Sequence, residues 1–134
     1  MMKSAIAIGL FVAVGSLPAQ EPAHMHANIP FDFRLGQKVL PSGEYLVQMS
    51  GPAVIFRQED GRLIGAVALT NPDTRSAAPQ NGELRFNRYG NEYFLASLWT
   101  PYSPLGRALM KTKQEKYVAR HASGSVETAS VGLK

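Results

Sequence analysis

Glu92-Tyr93-Phe94-Leu95-Ala96-Ser97-Leu98-Trp99-Thr100 is the stretch whose pattern sets the fold class. With the two-residue period of a strand, Tyr93, Leu95 and Trp99 share one face, with Ser97 between them. Phe94, Ala96 and Leu98 share the other. A strand that is apolar on both faces must be covered on both, so this segment is expected inside a sheet. Immediately upstream, Tyr89-Gly90-Asn91 makes a turn, and before it Leu84 and Phe86 alternate with Glu83, Arg85 and Asn87.

The same alternation extends outward. From Asn28 to Leu35, Ile29, Phe31, Phe33 and Leu35 oppose Asn28, Pro30, Asp32 and Arg34, which reads as one half-buried strand. Pro30 cannot donate to a ladder and places that strand at an edge. Leu40-Pro41-Ser42-Gly43 fits a type I turn before a strand carrying Tyr45, Val47 and Met49. Ser50-Gly51-Pro52 breaks the chain, Val54 and Phe56 resume it, and Asp60-Gly61 predicts a tight hairpin. The return strand, Leu63 to Thr70, is rich in small residues, and Asn71 to Gly82 reads as a polar loop.

Downstream, Thr112-Lys113-Gln114-Glu115 matches a capping box that opens a helix over 113–121, with Gly124 expected to stop it. A helix this short must dock to persist, and the second apolar face of Glu92–Thr100 is the expected place. Glu127, Ala129, Val131 and Leu133 then share one side of a last strand. The prediction is a mainly β chain: an antiparallel meander of about seven strands, curled into a small barrel or sandwich. One short C-terminal helix precedes the last strand.

The first 19 residues read as a secretory signal peptide. Met1-Met2-Lys3-Ser4 is a positive start, Ala5 to Leu17 an uncharged apolar run, and Pro18-Ala19 a breaker with a small residue. Roughly 13 apolar residues are too few to span a bilayer, so no transmembrane segment is expected after removal of the leader. Residues 20–27 read as a flexible mature N-terminus and 28–134 as a single β-rich domain. The chain contains no cysteine, so it must hold together without disulfides and thiolate chemistry is excluded. A periplasmic or secreted location follows from the leader.

Chemistry-bearing patterns are few. His24-Met25-His26 is the one metal-like cluster, and it lacks further ligands at sensible spacing, so no metal or other cofactor is expected. No nucleophile elbow or phosphate-cradling glycine loop occurs. Net charge is +4, yet Arg34, Arg57, Arg62, Arg75, Arg85 and Arg88 are scattered rather than striped, which argues against a nucleic-acid partner. The densest charge is Arg107, Lys111, Lys113, Lys116 and Arg120, opposed only by Glu115, a candidate contact for an anionic surface. Phe31, Phe33, Tyr45, Phe56, Phe86, Tyr93 and Trp99 are expected to line one interior. There Arg88, Tyr93 and Trp99 form a candidate ligand site.

Several motifs together carry a resemblance. They are Asn28-Ile29-Pro30-Phe31-Asp32-Phe33, Gly36, Leu40-Pro41-Ser42-Gly43-Glu44-Tyr45-Leu46-Val47, Leu69-Thr70-Asn71, Arg88-Tyr89-Gly90-Asn91-Glu92-Tyr93-Phe94-Leu95 with Trp99, and Gly106-Arg107. The chain resembles a family of short, exported, functionally uncharacterised bacterial proteins. Ala108-Leu109-Met110 departs from the acidic-Leu-Pro that such a protein would carry after Gly-Arg. The resemblance implies export and one β-rich domain, and it implies no activity.

The expected function is a non-catalytic binding or envelope-associated module. Two alternatives stand beside it: a carrier holding a small apolar ligand inside a closed sheet, and a hydrolase whose signature is not readable. A cavity would favour the carrier, and converging titratable groups in a cleft would favour the enzyme.

Overall fold

Ten strands and one helix succeed one another along the described residues of the computed structural model, 24–59, 66–74, 81–101, 104–122 and 124–134. The leader expected at 1–19, the hairpin turn expected at Asp60-Gly61 and the first residues of the strand expected from Leu63 lie outside them. The strands are β1 (His24–Ile29), β2 (Phe33–Leu35), β3 (Lys38–Leu40), β4 (Gly43–Ser50), β5 (Ala53–Gln58) and β6 (Ala66–Thr74). Then come β7 (Gly82–Tyr89), β8 (Glu92–Trp99), β9 (Leu105–Leu109), helix α1 (Lys113–His121) and β10 (Glu127–Leu133). Neighbours run β1-β4-β5-β6-β9-β8-β2-β3, with β7 on the other edge of β8 and β10 beside β7. All pairings are antiparallel except β2 with β8.

The fold is mainly β with its helix before the last strand, but the count of about seven is corrected to ten. Pro30 interrupts what reads as one strand. Ile29 still pairs with Gly43 of β4, whereas Arg34 pairs with Phe94 of β8. Between them the chain crosses from one part of the sheet to another, and Asp32 Oδ1 accepts the Ser42 amide at 2.9 Å. The start expected to be frayed through Ala27 is in register with β4 from His24 onward. Met25 and Ala27 are buried there, and this supplies the reason to order it. The expected loop from Asn71 is strand as far as Thr74 and pairs with β9, a strand whose Gly and Arg hid it from the pattern.

The sheet is open, so of the two expected forms, barrel or sandwich, the barrel is corrected. Among the described residues the ladder order ends at β1 on one side and at β10, beside β7, on the other, and no ladder joins those two strands. Strand β1 and the end of β10 pack into the same core, and two backbone bonds between His26 and Lys134, 2.7 and 2.9 Å, join them without a ladder.

At the centre lies an aromatic cluster. Phe33 sits 5.3 Å from Tyr45, 5.7 Å from Phe56 and 5.6 Å from Phe86, centroid to centroid. The Phe33–Tyr45 and Phe33–Phe86 contacts are edge-on, the arrangement ring quadrupoles favour. Phe31 joins by an edge contact to Phe86 at 5.0 Å and by stacking on Tyr93 at 3.8 Å. Trp99 does not join. Between β7 and β8 the register shifts: Arg85 faces Ser97 and Phe86 faces Leu95, which leaves Ala96 as a bulge. The extra residue exchanges the faces, so Leu95 and Leu98 both enter the core. Trp99 is buried instead against Gly106 of β9, where an added Cβ would lie 2.6 Å from the indole ring.

Gly106→Ala is therefore expected to destabilise by about 1–3 kcal/mol through overpacking. Phe33→Ala is expected to cost about 3–5 kcal/mol. Urea unfolding measures both, and an unchanged midpoint in the first variant would refute the close approach of indole and backbone.

Candidate functional site

Helix α1 begins as its sequence dictates. Thr112 is extended at φ −73° and ψ 164°, and its hydroxyl accepts the Glu115 amide at 3.1 Å. The reciprocal half of the capping box is not made. The Glu115 carboxylate turns inward, 3% exposed, where one oxygen accepts from the Tyr89 hydroxyl at 3.0 Å and from Asn87 Nδ2 at 3.1 Å. This acid, rather than an apolar stripe, ties the helix to the end of β7. The helix ends at His121, with Ala122 already extended, so Gly124 is not the terminator. Below lies the second face of the β7–β8 hairpin. Phe94, 2% exposed, meets Tyr89 edge-on at 5.7 Å and carries the Arg34 guanidinium 5.4 Å above its ring.

Burial pushes the Tyr89 phenol up to about 12, and the hydrogen bond to Glu115 and that residue's negative charge add to the rise.

With Glu115 turned inward, the helix leaves its cations outside. Lys113, Lys116 and Arg120 follow one another at helical spacing on one face, Lys111 precedes them, and all four are exposed. Among the described residues none is within salt-bridge reach of a carboxylate. Arg107, grouped with them on sequence, is different. Its Nε donates to Thr70 Oγ1 at 2.8 Å and its Nη2 to the Thr70 carbonyl at 2.9 Å. Thr70 in turn donates to the Pro52 carbonyl through both its hydroxyl, 2.7 Å, and its amide, 2.8 Å. Arg107 thus clamps the point where β6 changes partner from β5 to β9, and this role removes it from the surface set.

Between the helix, the β7–β8 turn and β10 lies a cleft of about 760 Å³, walled by Arg88, Glu92, Tyr117, Val118, His121 and Glu127. His121 stacks on Tyr117 at 4.1 Å and its Nδ1 lies 2.8 Å from the Tyr117 carbonyl. Arg88 donates to the Gly90 carbonyl at 2.8 Å and lies 3.4 Å from Glu127, while Glu92 pairs with Arg34 at 3.3 Å. Titratable groups do converge here, but Arg88, Glu92, Glu127 and His121 each have a structural partner, and among the described residues no bond joins His121 to a carboxylate. The spacing of Tyr117 and His121, four residues apart on a helix, was a readable signal for this wall. The Arg88–Glu127 pair depends on the pairing of β7 with β10 and had none.

The expected ligand trio is divided. Arg88 and Tyr93 are cross-strand neighbours, with the guanidinium 5.6 Å from the ring, whereas Trp99 lies beyond the bulge on the opposite face. The interior expected to hold a ligand is occupied by the buried side chains of Phe33, Tyr45, Phe56 and Phe86. Of the two N-terminal histidines, the His24 side chain lies outside the described residues, and His26 Nδ1 pairs with Glu59. No group of three His, Asp or Glu able to hold a metal occurs among the described residues. None of their helices is long and apolar enough to cross a membrane.

The raised phenol sets a pH dependence. Below pH 10 Tyr89 is protonated whether folded or unfolded, and its contribution is complete. Between about 10 and 12 the unfolded chain releases the proton while the folded chain keeps it, so stability falls as pH rises. Tyr89→Phe is expected to flatten that fall, read as urea midpoints across the alkaline range, and equal slopes in both proteins would refute it.

Comparison with known proteins gives no match: no family model, no curated protein and no solved structure matches the chain.

Proposed function

We propose that this chain is an exported, non-catalytic β-domain module that associates with an anionic component of the cell envelope. The observation that carries this reading is the row of exposed cations at Lys111, Lys113, Lys116 and Arg120, left unopposed because Glu115 faces the sheet. Charges held on one short helix act together on an anionic surface, and their reach is set by ionic strength. The apolar, leader-like stretch at 1–19 agrees with a periplasmic or secreted location.

Retention on immobilised dextran sulfate tests the reading. The parent protein is expected to elute with rising salt, and Lys113→Gln, Lys116→Gln and Arg120→Gln together to lower the eluting concentration. A charge-matched set, Arg57→Gln, Arg85→Gln and Lys134→Gln, is expected to lower it much less. Equal shifts for the two sets would reduce the helix to general surface charge and end the proposal.

A further inference from the structure

Strand β6 presents its side chains inside out. Ala66, Ala68 and Thr70 point toward the core, while Val67 and Leu69 point outward, 64% and 74% exposed. An ordinary half-buried strand places its larger apolar residues inward. Met110, 75% exposed, stands beside them: Val67, Leu69 and Met110 line one groove of about 420 Å³, with Leu35 and Leu109 also in its wall. No carboxylate lines that groove. Met110 is joined through Lys111 and Thr112 to the helix, so the apolar residues lead by a few peptide bonds into the cationic row.

We propose that the anionic component is the surface of a lipid bilayer, with Val67, Leu69 and Met110 entering below the headgroups and Lys111, Lys113, Lys116 and Arg120 resting at the phosphates. The inference rests on the reading given above and names its target. Charge complementarity selects this occupant: an exposed apolar group that the chain joins within a few residues to unopposed cations fits an interface that is apolar within and anionic at its rim. The backbone limits the depth. Because the Thr70 amide bonds to Pro52, alternation turns the N–H and C=O groups of Val67 and Leu69 away from β5, beyond the end of β9. Hydrated headgroups satisfy such groups and hydrocarbon does not, so the contact is shallow and involves side chains only.

A chain without cysteine allows single labels to be placed at will. Leu69→Cys, Met110→Cys and, on exposed β10, Ser130→Cys would each carry an environment-sensitive fluorophore on the full chain. With vesicles of phosphatidylglycerol and phosphatidylcholine, the labels at 69 and 110 are expected to shift to the blue and to be quenched by lipids spin-labelled high in the acyl chain. The label at 130 is expected to do neither. Val67→Ser, Leu69→Ser and Met110→Ser together, at exposed positions that leave the fold intact, should weaken vesicle binding at least about tenfold without changing retention on dextran sulfate. Labels at 69 and 110 that stay in water while dextran sulfate still retains the protein would overturn the inference and leave the function reading standing. Equal insertion into pure phosphatidylcholine would overturn it as well, since the cations would then have no part. Loss of retention on dextran sulfate in the parent would remove both.

Discussion

The structure depends on the ring of Phe33 held among Tyr45, Phe56 and Phe86. Four strands, β2, the β4–β5 hairpin and the distant β7, meet through those contacts, and all four side chains are at most 1% exposed. No disulfide is available to replace them. The central ring belongs to a three-residue strand, whose own ladder is too short to hold it. Burial of the aromatic side chain is therefore what keeps β2 in place. That position in turn fixes the parallel step to β8 at Arg34 and Phe94, and with it the floor beneath the helix.

What could be read from the sequence follows the range of the forces involved. The turn at Tyr89-Gly90-Asn91, with Gly90 at φ +61°, the Thr112 cap and the helix over 113–121 are set by neighbours within a few residues. All three appear where local chemistry puts them. The split at Pro30, the strand at Leu105–Leu109 and the bulge at Ala96 are decided by partners far away in the chain, and alternation alone is blind to them. Gly106 shows why. In sequence it weakens a strand, and in the fold it is the one residue that leaves room for the indole of Trp99.

The candidate site divides along the same line. The four exposed cations stay together because they sit on or beside a single helix, and helical spacing is legible. Arg88, Tyr93 and Trp99 part company because their grouping assumed unbroken alternation along β8. Arg107 left the surface set for a reason no pattern shows: β6 passes from one neighbour to another at Thr70, and the guanidinium satisfies the oxygens exposed by that change. Glu115 is the reverse case. It reads as half of a cap and serves as a buried acceptor instead.

The unpaired Ala96 also constrains how this chain can vary over time. Losing that single residue would restore strict alternation, carry the indole of Trp99 toward the crowded centre and expel Leu98 to the other side. A shortening by one residue in β8 would thus disturb two packed regions at once. Replacements of its side chain by others of similar size would leave both untouched. Lineages descended from such a sequence should tolerate exchange at this position and resist its deletion.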